Sequence, residues 1–246
     1  MPAVIDFTGV SKSYAGQPVL EGVDFQVEAG QCHALVGANG AGKTTCIKAL
    51  LDFIAIDAGR IRIYGQDHTH PSARQPLVFL PERFLPPYHL SGGEFLSYMS
   101  RLYGLSLPIE SFKQALADLE LDPRVLTRPA REYSKGMAQK LGLVACLSSG
   151  KDLFVLDEPM SGLDPKARAL VKQRLASLRD AGRSFFFSTH VLADVEAVCD
   201  RMAILHEGQI RFSGTPGQCC ERFGVADLES AYLACLDART APRVGE

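Results

Sequence analysis

One short segment carries the residues and spacing of a phosphate-binding loop. From Gly37 to Thr44 the sequence reads Gly-Ala-Asn-Gly-Ala-Gly-Lys-Thr, which fits the pattern G-x-x-x-x-G-K-[ST]. Glycine tolerates positive φ, so backbone N–H groups in such a loop can close around phosphate oxygens. Lys43 is predicted to reach the β and γ phosphates, and the Thr44 hydroxyl is predicted to bind Mg²⁺. The residues predicted to bind a nucleotide here are Gly37, Ala38, Asn39, Gly40, Ala41, Gly42, Lys43, Thr44 and Thr45.

Two adjacent carboxylates, Asp157 and Glu158, follow a short apolar run. In enzymes with a phosphate loop, a carboxylate at such a strand end holds Mg²⁺ directly or through water. A second carboxylate beside it can polarise an attacking water molecule. Taken alone, the pair would more often be an N-cap pair before the next turn than a catalytic site. Together with the phosphate loop, it predicts Asp157 as a metal ligand and Glu158 as a general base.

The elements that must position these residues are buried strands that end where the polar residues begin. Apolar runs and alternation predict strands at residues 4–8, 19–27, 32–36, 60–64, 78–80, 153–156, 184–188, 202–205 and 209–212. Helical periodicity predicts helices from 43 to about 54, from 165 to about 181 and from 191 to about 199. Between the two groups, residues from about 87 to 149 read as helices, with Met137, Leu141, Val144 and Ser148 on the inner edge of one of them.

Strand–helix alternation predicts an α/β fold, a P-loop NTPase core with a mostly parallel sheet covered by helices on both faces. We interpret residues 1–246 as one domain. The core and an N-terminal antiparallel β subdomain occupy about 1–86 and 150–215, and an inserted α-helical subdomain occupies about 87–149. A short C-terminal extension at about 216–246 is predicted to hold a terminal helix packed on the core.

Composition excludes several classes of protein. The 246 residues carry 26 basic and 28 acidic side chains, a net charge of −2, so no excess of positive charge points to nucleic acid as a partner. No apolar run approaches the roughly 18 residues that a membrane helix needs, and the N-terminus lacks the pattern of a signal peptide. The 7 cysteines include no Cys-x-x-Cys pair, which is typical of buried thiols in a reducing cytosol.

With these motifs, the chain resembles the nucleotide-binding subunits of ATP-binding cassette (ABC) transporters over residues from about 4 to 215. That family carries a signature loop before the Asp-Glu strand end, and Tyr133-Ser134-Lys135-Gly136-Met137 lies at the matching place. The resemblance implies that Ser134, Lys135 and Gly136 bind ATP held by the phosphate loop of a second subunit. Lys135 and Met137 depart from the commoner Gly and Gln. Residues 90–94 (Leu-Ser-Gly-Gly-Glu) look more like the signature, but precede the whole insertion, so we interpret them as a helix cap with a capping box.

The resemblance assigns roles to four more residues. Tyr14 matches the aromatic that stacks on adenine, although it could be an ordinary aromatic at a strand end. Asp164, in Ser161–Asp164, matches a loop that contacts the partner subunit, and it could also cap the next helix. His190 matches a histidine that contacts the γ phosphate. Glu82 stands where the family often has a Gln that senses Mg²⁺ and the attacking water, so it is a candidate for both catalysis and metal binding.

The resemblance implies an ATPase that uses ATP and Mg²⁺ and works as a dimer with a second copy or a paralogous subunit. It also implies a separate transmembrane permease subunit, so that the chain acts at the cytoplasmic side of the cell membrane. Leu80-Pro81-Glu82 and the signature resemble the subgroup that powers export. Two alternatives stay open: a soluble ABC-type ATPase that remodels a protein complex, and an import motor. A GTPase is disfavoured, because no Asn-Lys-x-Asp segment is present.

Overall fold

The computed structural model describes residues 3–238, which divide into two compact units. One unit contains residues 3–75 and 184–238, and the other contains residues 76–183. The strands are β1 (Ala3–Tyr14), β2 (Gln17–Glu28), β3 (Cys32–Val36), β4 (Ala58–Ile63), β5 (Gln66–Asp67), β6 (Leu77–Leu80), β7 (Leu153–Asp157), β8 (Ser184–Thr189), β9 (Arg201–His206) and β10 (Gln209–Gly214). The helices are α1 (Lys43–Leu50), α2 (Gly92–Leu102), α3 (Phe112–Asp118), α4 (Lys135–Leu147), α5 (Pro165–Asp180), α6 (Leu192–Val198), α7 (Pro216–Phe223) and α8 (Leu228–Asp237).

The first unit contains a separate antiparallel sheet in the order β2-β1-β4-β5. Alternation in β2 turns Val23, Phe25 and Val27 inward, as the sequence predicts, and the Phe25 ring stacks on Phe7 with centroids 4.5 Å apart. One face of an antiparallel sheet can stay in water, and alternation of this kind is typical of such a sheet. The predicted antiparallel β subdomain is confirmed.

The same unit contains the parallel strands that precede the phosphate loop. β3 lies between β8 and β9 and is parallel to both, and β10 closes this part as the antiparallel neighbour of β9. Every residue of β3 and β8 is buried, which matches their continuous apolar sequences. Helix α6 packs against β3 and β8. This arrangement is the parallel, helix-covered α/β fold of P-loop NTPases.

The second unit pairs β6 with β7 in parallel, with Leu80 opposite Leu156. Helix α4 packs against β6, and α2 and α3 pack against α4. Each longer helix of this unit begins at a side-chain cap: Ser91 before α2, Ser134 before α4 and Asp164 before α5. Ser91 forms the predicted capping box with Glu94, so residues 90–94 start a helix.

Three predictions on helices need correction. Helix α1 ends at Leu50 rather than near residue 54, because Asp52 adopts a left-handed conformation with φ 60°. In α4, Leu141 and Val144 are buried as predicted, but Met137 and Ser148 are only partly buried. The C-terminal extension holds two helices instead of one, since Gly224 takes φ 66° and ends α7. Residues 239–246 of that extension lie outside the described residues, and the predicted subdomain limits stay predictions.

No helix among residues 3–238 combines the length and the hydropathy needed to cross a bilayer. The seven cysteines are free thiols, and all of them are buried or partly buried. They pack as small apolar side chains, which is the role predicted for them.

One buried histidine makes the folded chain less stable at low pH. His33, in the middle of β3, is fully buried beside Phe25 and Phe186, and neither ring nitrogen has a hydrogen-bond partner among residues 3–238. Burial, with a smaller contribution from the charge of Arg201, lowers the pKa of His33 to about 3. The histidine is therefore neutral in the folded chain at every pH at which the protein would work.

We expect His33 to make the folded chain less stable as the pH falls. Below pH 6.5 the unfolded histidine binds a proton, whereas the folded one does so only near pH 3, so the free energy of unfolding decreases across that range. The expected loss is about 2 kcal/mol between pH 7 and pH 5. His33→Phe should remove this loss, as measured by urea unfolding at the two pH values.

His70 supplies the control, because its side chain is exposed, whereas that of His33 is fully buried. His70→Gln should therefore keep the pH dependence of the parent chain. A His33→Phe variant that loses as much stability in acid as the parent would contradict this account.

Candidate functional site

The phosphate loop joins β3 to α1 in the predicted strand–loop–helix order. Gly40 and Gly42 adopt φ 85° and 110°, a region that other residues rarely enter, and Gly42 is the N-cap of α1. The first turn of α1 contains no acidic side chain. No side chain of this turn therefore opposes the fractional positive charge that the helix N-terminus offers to an anion.

Two glycines let this loop lie against its neighbours. A Cβ added at Gly37 would overlap the carbonyl oxygen of Leu205, and one added at Gly42 would lie 2.8 Å from Leu20 Cδ2. Gly37 N also donates to Thr189 O at 3.3 Å, which ties the start of the loop to the end of β8. The glycines are required by packing as well as by backbone conformation.

Lys43 places its ammonium group inside the loop. The residue is 6% exposed, and Nζ donates to Gly37 O at 2.7 Å and to Ala38 O at 3.2 Å. The N–H groups at the helix start and the Lys43 ammonium can donate hydrogen bonds to a phosphate. The oxygen of the Thr44 hydroxyl can bind its Mg²⁺. The residues present thus fit the ATP and Mg²⁺ implied by the resemblance.

His190 follows the strand end that anchors the loop. Thr189, the last residue of β8, accepts a hydrogen bond from Gly37 N at its carbonyl and one from Val191 N at its hydroxyl, 3.0 Å away. His190 itself is exposed. The structure therefore brings His190 and the start of the phosphate loop to the same end of the parallel strands.

Tyr14 ends β1 and is 45% exposed, with Lys12 Nζ 5.5 Å from its ring centroid. Lys12 is itself held by Asp57 at 2.8 Å. An exposed aromatic ring at this place is what adenine stacking needs, and that role stays a prediction.

In the second unit, the carboxylate pair stands at the end of buried β7. Asp157 is its last residue and is 3% exposed, and Glu158 follows at 8% exposed. Glu158 takes φ 47°, a left-handed conformation that is uncommon for a residue with a side chain. Ser161 N donates to Glu158 O at 3.0 Å and closes a tight turn. The strand thus ends in a strained backbone, a feature that clusters at functional sites.

Glu82 lies at the same edge of the β6–β7 pair. Leu80 ends β6 opposite Leu156, and Glu82 follows two residues later in an exposed position. Because parallel strands point the same way, Glu82 and Asp157 leave the pair at its carboxyl end. Among residues 3–238, no group of three or more His, Cys, Asp or Glu side chains could hold a metal ion. A Mg²⁺ here would need the oxygens of phosphate and water as well.

The signature residues open α4. Ser134 caps the helix by accepting a hydrogen bond from Met137 N at 3.2 Å, and no acidic residue lies in the first turn. Lys135 is exposed and Gly136 is partly buried. The cap that the sequence predicts at Ser134 is confirmed, while binding of a partner's nucleotide stays a prediction.

Asp164 caps α5, so its second predicted role is confirmed. Its carboxylate accepts a hydrogen bond from Ala167 N at 2.9 Å, and this bond, together with the charge of Lys140, lowers the pKa of Asp164. Contact with a partner subunit stays a prediction.

Two residues near these motifs were missed by the sequence analysis. Burial raises the pKa of Tyr232 in α8, and a hydrogen bond between its hydroxyl and the backbone of Ala38 opposes that shift. Gln139 in α4 is buried and bonds to the carbonyl that follows Glu158. A polar residue inside an otherwise apolar helix face was the available signal for Gln139.

Comparison with known proteins gives a consistent result. Residues 20–161 match the family model described as ABC transporter. An uncharacterized ABC transporter ATP-binding protein of Synechocystis is 37% identical over 80% of this chain and 56% of its own length. Nod factor export ATP-binding protein I of Burkholderia orbicola is 36% identical over 87% of this chain and 71% of its own. EcsA of Bacillus subtilis, an ABC-type transporter ATP-binding protein, is 33% identical over 94% of both chains.

This chain spans 56% and 59% of the length of two cyanobacterial relatives that it matches. A solved ATP-binding subunit of an ABC transporter has a TM-score of 0.83 at 31% identity, over 94% of this chain and 99% of that one. A bacterial Atm1-family ABC exporter with ATP bound has a TM-score of 0.82 at 21% identity, over 98% of this chain and 43% of that one. At that lower identity the match shows the fold alone.

Gly42→Ala should lower affinity for ATP at least about tenfold. A left-handed backbone costs an alanine about 1–2 kcal/mol, and the added Cβ would also lie 3.0 Å from the backbone carbonyl oxygen of Val19, so we expect the loop to shift. Calorimetric titration with MgATP measures the change.

Gly217→Ala is the matched control, since an added Cβ there meets nothing closer than Thr215 Oγ1 at 3.9 Å. It should bind MgATP like the parent. Equal affinity in the Gly42→Ala variant would show that the loop geometry does not determine binding.

Proposed function

This chain belongs to the ABC transporter family of ATP-binding proteins, and we propose that it is the ATP-hydrolysing subunit that drives a separate membrane subunit. The observation that carries this proposal is the phosphate loop, with its left-handed glycines and buried Lys43. Backbone N–H groups of residues 37–45 and the Lys43 ammonium would hold the phosphates. When bound, ATP supplies the phosphoanhydride to be cleaved, and Mg²⁺ offsets the charge of its phosphates.

The remaining polar residues have separate proposed roles in metal binding and catalysis. Thr44, Asp157 and Glu82 would hold Mg²⁺ through oxygen atoms, as this cation prefers. Glu158 would accept the proton of the attacking water at its carboxylate, and His190 would contact the γ phosphate. The buried carboxylate and its strained turn support this assignment, because a group held in one orientation loses no further entropy when it acts.

A dimer is part of the proposal. Ser134, Lys135 and Gly136 start a helix that presents N–H groups and no acidic side chain, which suits a phosphate from another subunit. Asp164 would contact that subunit from the nearby loop. The second subunit is another copy of this chain or a paralogue.

The membrane partner and the direction of transport rest on relatives. The named relatives are ATP-binding proteins of transporters, and one of them is named for export of Nod factor. We propose export by a transmembrane permease, with this chain bound at the cytoplasmic side of the cell membrane. The cargo would be selected by the permease.

Glu158→Gln should keep ATP binding and lower steady-state hydrolysis by about 10²–10⁴-fold, the usual contribution of general-base catalysis. The amide keeps the size of the side chain but cannot accept the proton of water. Phosphate release from MgATP measures the rate, and calorimetry measures binding. Glu110→Gln, at an exposed carboxylate paired with Lys113, should leave both unchanged. Normal turnover in the Glu158→Gln variant would show that Glu158 is not the base.

The membrane partner can be tested with the same variant. Affinity-tagged Glu158→Gln chain is purified from solubilised native membranes with ATP and Mg²⁺, and the proteins that copurify are identified. We expect a multi-spanning membrane protein in stoichiometric amount. Recovery of soluble proteins alone, with the chain absent from the membrane fraction, would contradict transport and favour the remodelling ATPase.

A further inference from the structure

The turn that carries Glu158 is held by a side chain from another element of the same unit. Gln139, in the second turn of α4, is 3% exposed, and its Nε2 donates to the carbonyl oxygen of Pro159 at 3.2 Å. Both atoms lie in the interior, where a carbonyl without a donor would be costly. This bond joins the signature helix to the residue directly after the proposed base.

The Pro159 carbonyl follows directly after a residue whose backbone is strained. Glu158 takes φ 47°, and such a conformation persists only where its surroundings hold it. Pro159 offers no N–H and occupies the second position of the turn closed by Ser161 N and Glu158 O. Pro159 can therefore form a backbone hydrogen bond only through its carbonyl oxygen, and this is the atom that Gln139 of α4 contacts.

A second contact holds the far end of the same segment. An added Cβ at Gly162, which has φ 73°, would lie 3.1 Å from Lys135 Cε, so the stem of Lys135 lies against this glycine. The first and second turns of α4 thus meet residues 159–162 at both ends. The segment after Glu158 is clamped against one helix.

We propose that Gln139 is a positioning residue for Glu158: its amide, through the Pro159 carbonyl, holds the turn in which the carboxylate faces the attacking water. This inference rests on the proposed function of Glu158. It also connects two proposed sites. Helix α4 begins at the residues proposed to bind the partner's nucleotide, and Gln139 of the same helix contacts the turn that carries Glu158. Movement at the start of α4 would reach Glu158 through Gln139.

The alternative is that Gln139 only satisfies a buried carbonyl. Loss of the bond would then lower stability and leave the turnover of folded protein unchanged. The two possibilities differ in kcat, in the pH dependence of the rate and in the coupling between Gln139 and Glu158.

Gln139→Met tests the first difference, because it keeps the length of the side chain and removes the donor. We expect kcat for ATP hydrolysis to fall about tenfold to hundredfold, with KM for ATP within about twofold of the parent. Rates are normalised to the folded fraction from the thermal unfolding curve. Gln114→Met is the control: Gln114 donates to Asp118 at 2.7 Å on an exposed face of α3, and its loss should not change kcat.

Gln139→Glu tests the donor itself and serves even if Gln139→Met folds poorly. An ionised carboxylate repels the Pro159 carbonyl, whereas a protonated one can donate to it. The rate of this variant relative to the parent should therefore rise as the pH falls. A ratio that stays constant with pH would contradict hydrogen-bond donation as the role of residue 139.

A double-mutant cycle separates this inference from the proposed function. If Gln139 acts through Glu158, Gln139→Met should add no further loss to Glu158→Gln. An additive loss, or normal kcat in Gln139→Met, overturns the positioning role alone. Normal turnover in Glu158→Gln overturns the proposed base, whatever Gln139 does.

Discussion

Burial of short parallel strands on both faces is the constraint on which the rest of this structure depends. Strands β3, β7 and β8 are buried along their whole length, so a polar group that must meet water or a ligand can stand only where a strand ends. The phosphate loop, the carboxylate pair and His190 all stand at carboxyl ends of such strands. Each group thus stands at the carboxyl end of its own strand, which is where α/β proteins bind ligands. The positions of these residues are therefore fixed by the packing of apolar neighbours within each unit.

The backbone takes a positive φ after both β3 and β7, but the residues that do so differ. After β3 these residues are Gly40 and Gly42, where the absence of Cβ removes the steric cost. After β7 the backbone takes a left-handed conformation at Glu158, which must keep its side chain for the proposed role as a base. The first loop therefore needs glycine, and the second needs external support from α4. At this φ, a residue with a carboxylate side chain must accept backbone strain.

Much of the site could be predicted from the sequence because its signals are local. Fixed spacing from Gly37 to Thr44 identifies the phosphate loop, and Ser134 and Asp164 appear as helix caps where the structure has them. The positive φ of Glu158 and the bond from Gln139 to Pro159 depend on packing between elements distant in sequence, which no local pattern encodes. The end of α1 was misplaced because apolar residues continue beyond Leu50 although the backbone turns at Asp52. By contrast, Gly224 was a local signal that could have divided the C-terminal extension into two helices.

We assign recognition of the β and γ phosphates of ATP to the loop after β3. A comparison of the affinities of the chain for MgATP and for AMP under the same conditions tests this assignment. Each charge-assisted hydrogen bond to a phosphate contributes about 1.5–3 kcal/mol, so loss of two phosphates should weaken binding at least about 100-fold. Equal affinities for the two nucleotides would contradict the claim, because recognition would then lie in the adenosine and not in the loop.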